Sequence, residues 1–156
     1  RELSAPQDRL AMTRLAFADM PKVVIDDREL QRTGPTFTID TLQALQQENP
    51  TAQLYLIVGA DQFAAFRQWH RWQAILDIAI ICVAERAINT WTDELFDSFV
   101  GQKSRFCRLE MPESSISATQ VRRTAASALS VANNISSLVS PRVARYIATH
   151  QLYKAD

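Results

Sequence analysis

The fold is decided by the stretch Leu54-Tyr55-Leu56-Ile57-Val58-Gly59-Ala60-Asp61-Gln62. Its five consecutive apolar residues, closed by a glycine, predict a strand over 54–58 that is buried on both faces. Polarity changes directly after Gly59, and Asp61 stands where a helix is expected to begin. Ligands of open parallel sheets bind beyond the carboxyl ends of the strands, so a ligand pocket is expected near Asp61. The alternative is that Asp61 only caps the helix that begins at Gln62.

The chain on either side alternates between predicted strands and helices. Strands are predicted at 23–25, 54–58, 78–83 and 106–109, and helices at 36–48, 61–76, 93–99, 117–128 and 141–149. Asn49-Pro50 should end the helix at 36–48, and the helix at 141–149 should have Ser140 as its cap and Pro141 at its first position. A first helix should follow Ser4-Ala5-Pro6-Gln7, which has the form of a capping box with proline in the first turn. This alternation predicts an α/β fold, a parallel sheet with helices on both faces, in a single domain over residues 1–156.

Composition excludes several classes of protein. The chain has 17 Lys plus Arg and 17 Asp plus Glu, a formal net charge of zero, which argues against a dedicated nucleic-acid binder. Its longest apolar runs, such as 78–84, are too short to cross a membrane, and no signal peptide is visible. Cys82 and Cys107 have neither metal-ligand nor redox spacing, which is typical of two reduced core thiols in a cytoplasmic protein.

Two tryptophans follow the central strand in Trp69-His70-Arg71-Trp72. Because they stand three residues apart, they share one face of a helix over 61–76. That face either packs in the core, as apolar helix faces usually do, or forms a wall of the pocket beyond Gly59. The stretch alone leaves both interpretations open.

A second group of polar residues opens the helix at 117–128. Ser117 and Gln120 have the spacing of a capping box, so a plain helix start explains both. Thr119 adds a hydroxyl group, and Arg122 adds a guanidinium group near the positive end of the helix dipole, where phosphate binds favourably. Capping alone does not require Arg122, and both interpretations stay open.

A third candidate site is the turn at the start of the 36–48 helix. Its threonines and Asp40 can cap the helix, and nothing more is then needed. Alternatively, the backbone N–H groups at Thr38 receive a small anion such as a carboxylate, and Phe37 gives the site an apolar side.

Taken in order, these motifs resemble those of the bacterial nicotinate-nucleotide adenylyltransferases, members of the Rossmann-like nucleotidyltransferase superfamily. The resemblance covers nearly the whole chain. It rests on Arg28-Glu29-Leu30-Gln31-Arg32, Thr36-Phe37-Thr38-Ile39-Asp40-Thr41-Leu42, Val58-Gly59-Ala60-Asp61-Gln62, Trp69-His70-Arg71-Trp72, Ile116-Ser117-Ala118-Thr119-Gln120-Val121-Arg122, Tyr146-Ile147 and His150-Gln151-Leu152-Tyr153.

The resemblance implies transfer of the adenylyl group of ATP, with Mg²⁺, to nicotinate mononucleotide, giving nicotinate adenine dinucleotide and pyrophosphate in NAD biosynthesis. On the acceptor side, it implies that the turn at Thr38 holds the nicotinate carboxylate through backbone donors. It also implies that Trp69 stacks on the pyridine ring, with His70 beside it. Asp61 matches the acid near the nucleotide riboses.

The ATP side is implied in the same way. The ATP-binding positions implied by the resemblance are Gly59, Ser117, Thr119 and Arg122. Arg86 is implied on the side of the other substrate, as a phosphate-contacting arginine, although its neighbours Glu85 and Ala87 depart from the basic, proline-containing pattern of the family.

The chain departs from the family at its front. There the family has a glycine-rich loop and a His-x-Gly-His pair that bind the ATP phosphates, whereas this chain has only His70 and His150. The chain also begins with Arg1 instead of methionine. We therefore expect that the first strand, its helix and the second strand of the family are missing, and that this piece alone is inactive. No catalytic residue can be assigned.

Two further interpretations stay open. In the first, the acceptor is another compound, such as nicotinamide mononucleotide or a pantetheine phosphate, although the tryptophans and the Thr38 turn favour a flat ring that bears an anion. In the second, the chain is a non-catalytic nucleotide-binding domain that lacks the histidine motif by nature.

Overall fold

The structure is a computed structural model that describes residues 4–85, 94, 96–112, 116–127 and 135–153. The chain divides into two compact units. The terminal unit combines Arg1–Gln31 with Ser115–Asp156, and the sheet unit comprises Arg32–Ser114. The α-helices whose bounds fall within the described residues are α1 Pro6–Ala16, α2 Arg28–Gln31, α3 Thr38–Glu48, α4 Ala60–Ala64, α5 Trp72–Ile78, α6 Ala118–Ser127 and α7 Pro141–Thr149.

Parallel strands form the centre of the sheet unit. Among the described residues the sheet has three strands in the order β1-β2-β3, which are Leu54–Gly59, Ala79–Glu85 and Phe106–Glu110. Gly59 pairs with Ala84 at the carboxyl end of β1. The predicted parallel α/β fold is therefore confirmed, and α4 begins directly after β1, at the edge where ligands of such sheets bind.

Aromatic and branched side chains from the strands and from α3, α4 and α5 fill the core of the sheet unit. Its fully buried members include Ile39, Phe63, Phe66, Ile75, Ile81 and Phe99. Phe99 stacks on Phe63 with a centroid distance of 5.6 Å and makes a tilted contact with Phe66 at 6.2 Å, spacings at which aromatic pairs attract each other. This core holds the ends of α3 and α5 in place.

The predicted helix over 61–76 is wrong as one continuous element. The chain forms α4, then a 3₁₀ turn at Phe66–Gln68, and only later α5. Trp69 is extended, with φ −71° and ψ 146°, and Arg71 is left-handed, with φ 53° and ψ 43°. Because neither conformation continues an α-helix, Trp69 and Trp72 do not share a helix face.

Two strand predictions also need correction. The strand over 54–58 is buried on one face only. Tyr55 and Ile57, which point to the opposite face, are 60% and 65% exposed. Residues 23–25 form no strand, and Val24 is 87% exposed. A strand needs a partner for its N–H and C=O groups, and no described strand pairs with these residues.

The terminal unit is held together by α1 and α7. The Tyr146 hydroxyl donates to Oδ1 of Asp8 at 2.9 Å, and this hydrogen bond raises the pKa of Tyr146. Ser4 Oγ lies 3.0 Å from the hydroxyl oxygen of Tyr153, so the predicted capping box does not form, and Ala5 stands at the N-cap of α1. The start of α7 is as predicted, since Ser140 Oγ accepts from the N–H of Val143 at 3.4 Å.

None of the helices in the described part of the chain is both long and apolar enough to span a membrane. The helix predicted at 93–99 falls partly outside the described residues, of which Glu94, Phe96 and Asp97 are helical.

Candidate functional site

A small cavity of about 200 Å³ lies beside the start of α3 in the sheet unit. The structure thereby brings together three residues that were predicted from separate motifs, Thr38, Trp69 and His70. The remaining lining residues are Thr36, Phe37 and Ile75. Because pockets for drug-sized ligands are usually roughly 300–1,000 Å³, this cavity is of a size for one ring and its substituent instead of a whole nucleotide.

The first turn of α3 borders this cavity at Thr38. Phe37 stands at the N-cap with φ −112° and ψ 141°, and its side chain makes no capping hydrogen bond. The first N–H groups of a helix have no partner within the helix itself, and the helix dipole makes this end positive. The position of Phe37 leaves the start of α3 suited to an anionic group from a ligand.

Aromatic side chains form the other walls. The ring of His70 lies on that of Phe37, with a centroid distance of 4.2 Å and an interplanar angle of 30°. Trp69 is half-buried and meets Phe66 edge-on at 5.5 Å, which fixes its indole beside the cavity. Trp72 instead packs edge-on against Phe66, at 6.0 Å, and against the core.

Two residues near this cavity were not assigned from the sequence. Arg32 donates from Nη1 to Oγ1 of Thr41 at 2.8 Å, and so ties the incoming loop to the first turn of α3. Ile75 lines the base of the cavity from α5. Arg32 could have been found from the sequence, because it is charged and belongs to one of the stretches that carry the family resemblance. Ile75 is an ordinary core residue, and nothing in the sequence distinguishes it.

Gly59 and Asp61 are coupled by close packing. A Cβ atom placed on Gly59 would lie 2.8 Å from Oδ1 of Asp61, closer than such contacts occur. Gly59 stands at the N-cap of α4 with φ −74°, which other residues also adopt, so a side chain here would meet the Asp61 carboxylate without straining the backbone. Asp61 lies inside the first turn of α4, which begins at Ala60 with Gly59 at its N-cap, so the alternative in which Asp61 is the cap of a helix that begins at Gln62 is wrong.

Of the predicted ATP-side residues, Gly59 lies in the sheet unit, whereas Ser117, Thr119 and Arg122 lie in the terminal unit. Ser117 Oγ accepts from the N–H of Gln120 at 3.1 Å, so this serine does cap α6. Arg122, one turn inside, donates from Nη2 to Oγ1 of Thr119 at 3.2 Å, and both side chains are half-buried. The hydroxyl and the guanidinium therefore lie together at the positive end of α6. Arg86 lies outside the described residues.

Known proteins similar to this chain show its family. The model of the cytidylyltransferase-like family matches residues 1–124. The probable nicotinate-nucleotide adenylyltransferase of Albidiferax ferrireducens is 51% identical over 154 residues, which are 99% of this chain and 76% of the relative. The protein of that name from Herpetosiphon aurantiacus is 36% identical over 156 residues, with coverages of 99% and 77%.

A solved structure shows the same fold. Plasmodium falciparum nicotinic acid mononucleotide adenylyltransferase complexed with NaAD has a TM-score of 0.73 and 19% identity, over 98% of this chain and 76% of that one. The sequence relatives and the shared fold agree with the resemblance found in the motifs. The chain belongs to the cytidylyltransferase-like family and, within it, to the nicotinate-nucleotide adenylyltransferases.

Proposed function

We propose that the protein transfers the adenylyl group of ATP to nicotinate mononucleotide, forming nicotinate adenine dinucleotide and releasing pyrophosphate, as a step of NAD biosynthesis. The observation that carries this proposal is the start of α3 beside a cavity with aromatic walls. A flat ring that bears a carboxylate fits that arrangement better than a neutral or aliphatic group does. Membership of the family supports the same activity.

The acceptor ring enters the cavity and its carboxylate meets the backbone N–H groups at Thr38. This contact pairs a full negative charge with the positive end of α3, a helix of 11 residues. Trp69 stacks on the pyridine ring, and His70 borders it from the side of Phe37. Nicotinamide mononucleotide has the same ring without the charge, so it gains less from the start of α3.

Asp61 accepts hydrogen bonds from nucleotide ribose hydroxyls at the end of β1. Gly59 supports this role because its lack of a side chain leaves room for the Asp61 carboxylate. Substitution of Gly59 would displace the carboxylate before it disturbed the backbone.

Arg122 and Thr119 bind ATP phosphate at the start of α6. A guanidinium has five N–H donors, so the bond to Thr119 orients it while other donors remain for phosphate oxygens. Ser117 is first a helix cap, and its removal should cost about 0.5–2 kcal/mol of stability. Adenylyl transfer needs aligned phosphates and neutralised charge, which are the contributions of these groups.

Mg²⁺ enters the proposal as part of the substrate MgATP. Among the described residues, no group of three or more His, Cys, Asp or Glu side chains is placed to hold a metal ion, so ATP phosphates are its main ligands here. We further propose one nucleotidyltransferase domain, since the family match at 1–124 includes parts of both units. The proposed location is the cytoplasm, because both cysteines are free thiols, as is usual in a reducing compartment.

The test is the acceptor preference of the full-length enzyme, measured as kcat/KM at saturating MgATP. Nicotinate mononucleotide should be preferred over nicotinamide mononucleotide by about 10- to 100-fold, the equivalent of one or two charge-assisted contacts. Pyrophosphate release gives the rate for both acceptors in one assay. Equal kcat/KM values would refute the assignment of the cavity to a carboxylate-bearing ring.

A further inference from the structure

Two cysteines lie opposite each other on neighbouring strands. Cys82 of β2 is the register partner of Cys107 of β3, and both are free thiols. Adjacent strands lie about 4.7–4.9 Å apart, within the Cα separation of roughly 4.4–6.8 Å that a disulfide bridges. Paired residues of a parallel sheet point to the same face, so the two cysteine side chains lie side by side on it. The separation of Cys82 and Cys107 along the chain gave no sign that they are neighbours in the sheet.

The two thiols differ in their access to solvent. Cys82 is 4% exposed, whereas Cys107 is half-buried. Burial, together with a hydrogen bond to Cys107, raises the pKa of Cys82 to about 11. The register brings the two thiol groups next to each other, and the difference in burial makes Cys107 the one that a reagent in solution reaches first.

We propose that Cys82 and Cys107 form a thiol-modification site that reacts with low-molecular-weight disulfides and closes into a reversible disulfide within the chain. The oxidant is a compound of the type RSSR, such as oxidised glutathione. The inference does not depend on the nucleotidyltransferase activity, because it rests on the register of β2 and β3 alone.

The reaction has two exchange steps. Cys107 loses its proton to solvent, and its thiolate attacks one sulfur of RSSR, forming Cys107–S–S–R and releasing RS⁻. Cys82 then loses its proton and attacks Sγ of Cys107, which forms the Cys82–Cys107 bond and expels the second RS⁻. Two protein thiols are oxidised and one RSSR is reduced to two thiols. In the mixed disulfide, Cys107 no longer has the thiol whose hydrogen bond helps to raise the pKa of Cys82, so the second step becomes easier.

The test uses the full-length protein equilibrated with mixtures of reduced and oxidised glutathione. Remaining thiols are alkylated under denaturing conditions, and intact mass and non-reducing peptide maps are recorded. The wild type should lose two hydrogens and yield a Cys82–Cys107 linked peptide that disappears on reduction. Cys82→Ala should stop at one glutathione on Cys107, and Cys107→Ala should leave Cys82 unmodified in the folded state.

Three results would overturn the proposal. The first is that both thiols of the native wild type stay free at high oxidised glutathione but react after unfolding, as inert core cysteines would. The second is that the main product links two chains. The third is that Cys82 in the Cys107→Ala variant reacts as fast as Cys107 in the wild type, which would contradict the order of attack.

Discussion

Replacing Thr38 by proline removes a single backbone donor from the start of α3. Thr38 is the first residue of the helix, a position at which proline is favoured because its missing N–H has no partner in the helix. The preceding residue, Phe37, already has φ −112° and ψ 141°, the conformation that a following proline requires. Thr38→Pro should therefore fold normally, with a free energy of unfolding within about 1 kcal/mol of the wild type.

The expected effect on the acceptor follows from the type of hydrogen bond lost. A bond to a charged group contributes about 1.5–3 kcal/mol and a bond between neutral groups about 0.5–1.5 kcal/mol. The kcat/KM for nicotinate mononucleotide should thus fall by about 10- to 150-fold. Nicotinamide mononucleotide loses only a neutral contact, so the preference between the two acceptors should narrow by about 5- to 13-fold.

Thr38→Ala is the matched control, because it keeps the N–H and removes only the hydroxyl. Both variants are assayed in the full-length enzyme with both acceptors at saturating MgATP, and their thermal melts are compared. Thr38→Ala should keep the preference of the wild type. If Thr38→Pro also kept it, while folding normally, the N–H of Thr38 would not bind the carboxylate.

The remaining predictions concern the cavity wall, the end of β1 and the start of α6. Trp69→Ala should weaken acceptor binding by about 1–3 kcal/mol, whereas Trp72→Ala should lower the free energy of unfolding by about 3–5 kcal/mol. Thermal melts and acceptor titrations of both variants measure these effects, and the reverse pattern would contradict the two roles. Gly59→Ala should have the melting temperature of the wild type but a lower kcat/KM. In an Asp61→Ala background the same substitution should cause no further loss of kcat/KM, because it acts by displacing the Asp61 carboxylate. Arg122→Ala should raise the KM for ATP or lower kcat without a change in melting temperature, and Arg122→Lys should restore only part of the loss; unchanged ATP kinetics would leave α6 with a capping role alone.

The sequence predicted the elements whose determinants are local. Alternating apolar runs and helix signals predicted the three strands at 54–59, 79–85 and 106–110 within two residues of their observed ends. Ser140 and Pro141 predicted the start of α7, and Asn49-Pro50 predicted the end of α3. The turn at Thr38 was singled out from a few adjacent residues, and the structure places Thr38 at the start of α3 beside the cavity; its binding of an anion stays a prediction.

The features that were missed depend on contacts between distant residues. Arg71 breaks the predicted helix with a left-handed conformation that arginine rarely adopts, so its residue type gave no warning. Ser4 had the spacing of a helix cap, but its hydroxyl pairs with Tyr153 at the other end of the chain. The register that sets Cys82 opposite Cys107 is a property of the sheet and not of either strand.

The most direct test of the proposed acceptor site is a crystal structure of the full-length enzyme with nicotinate adenine dinucleotide. A carboxylate oxygen should lie about 2.7–3.2 Å from the backbone nitrogen of Thr38 or Ile39. The pyridine ring should be stacked on Trp69 inside the cavity bordered by His70. A bound dinucleotide whose pyridine ring lies elsewhere, with its carboxylate turned away from the start of α3, would contradict the proposed acceptor site.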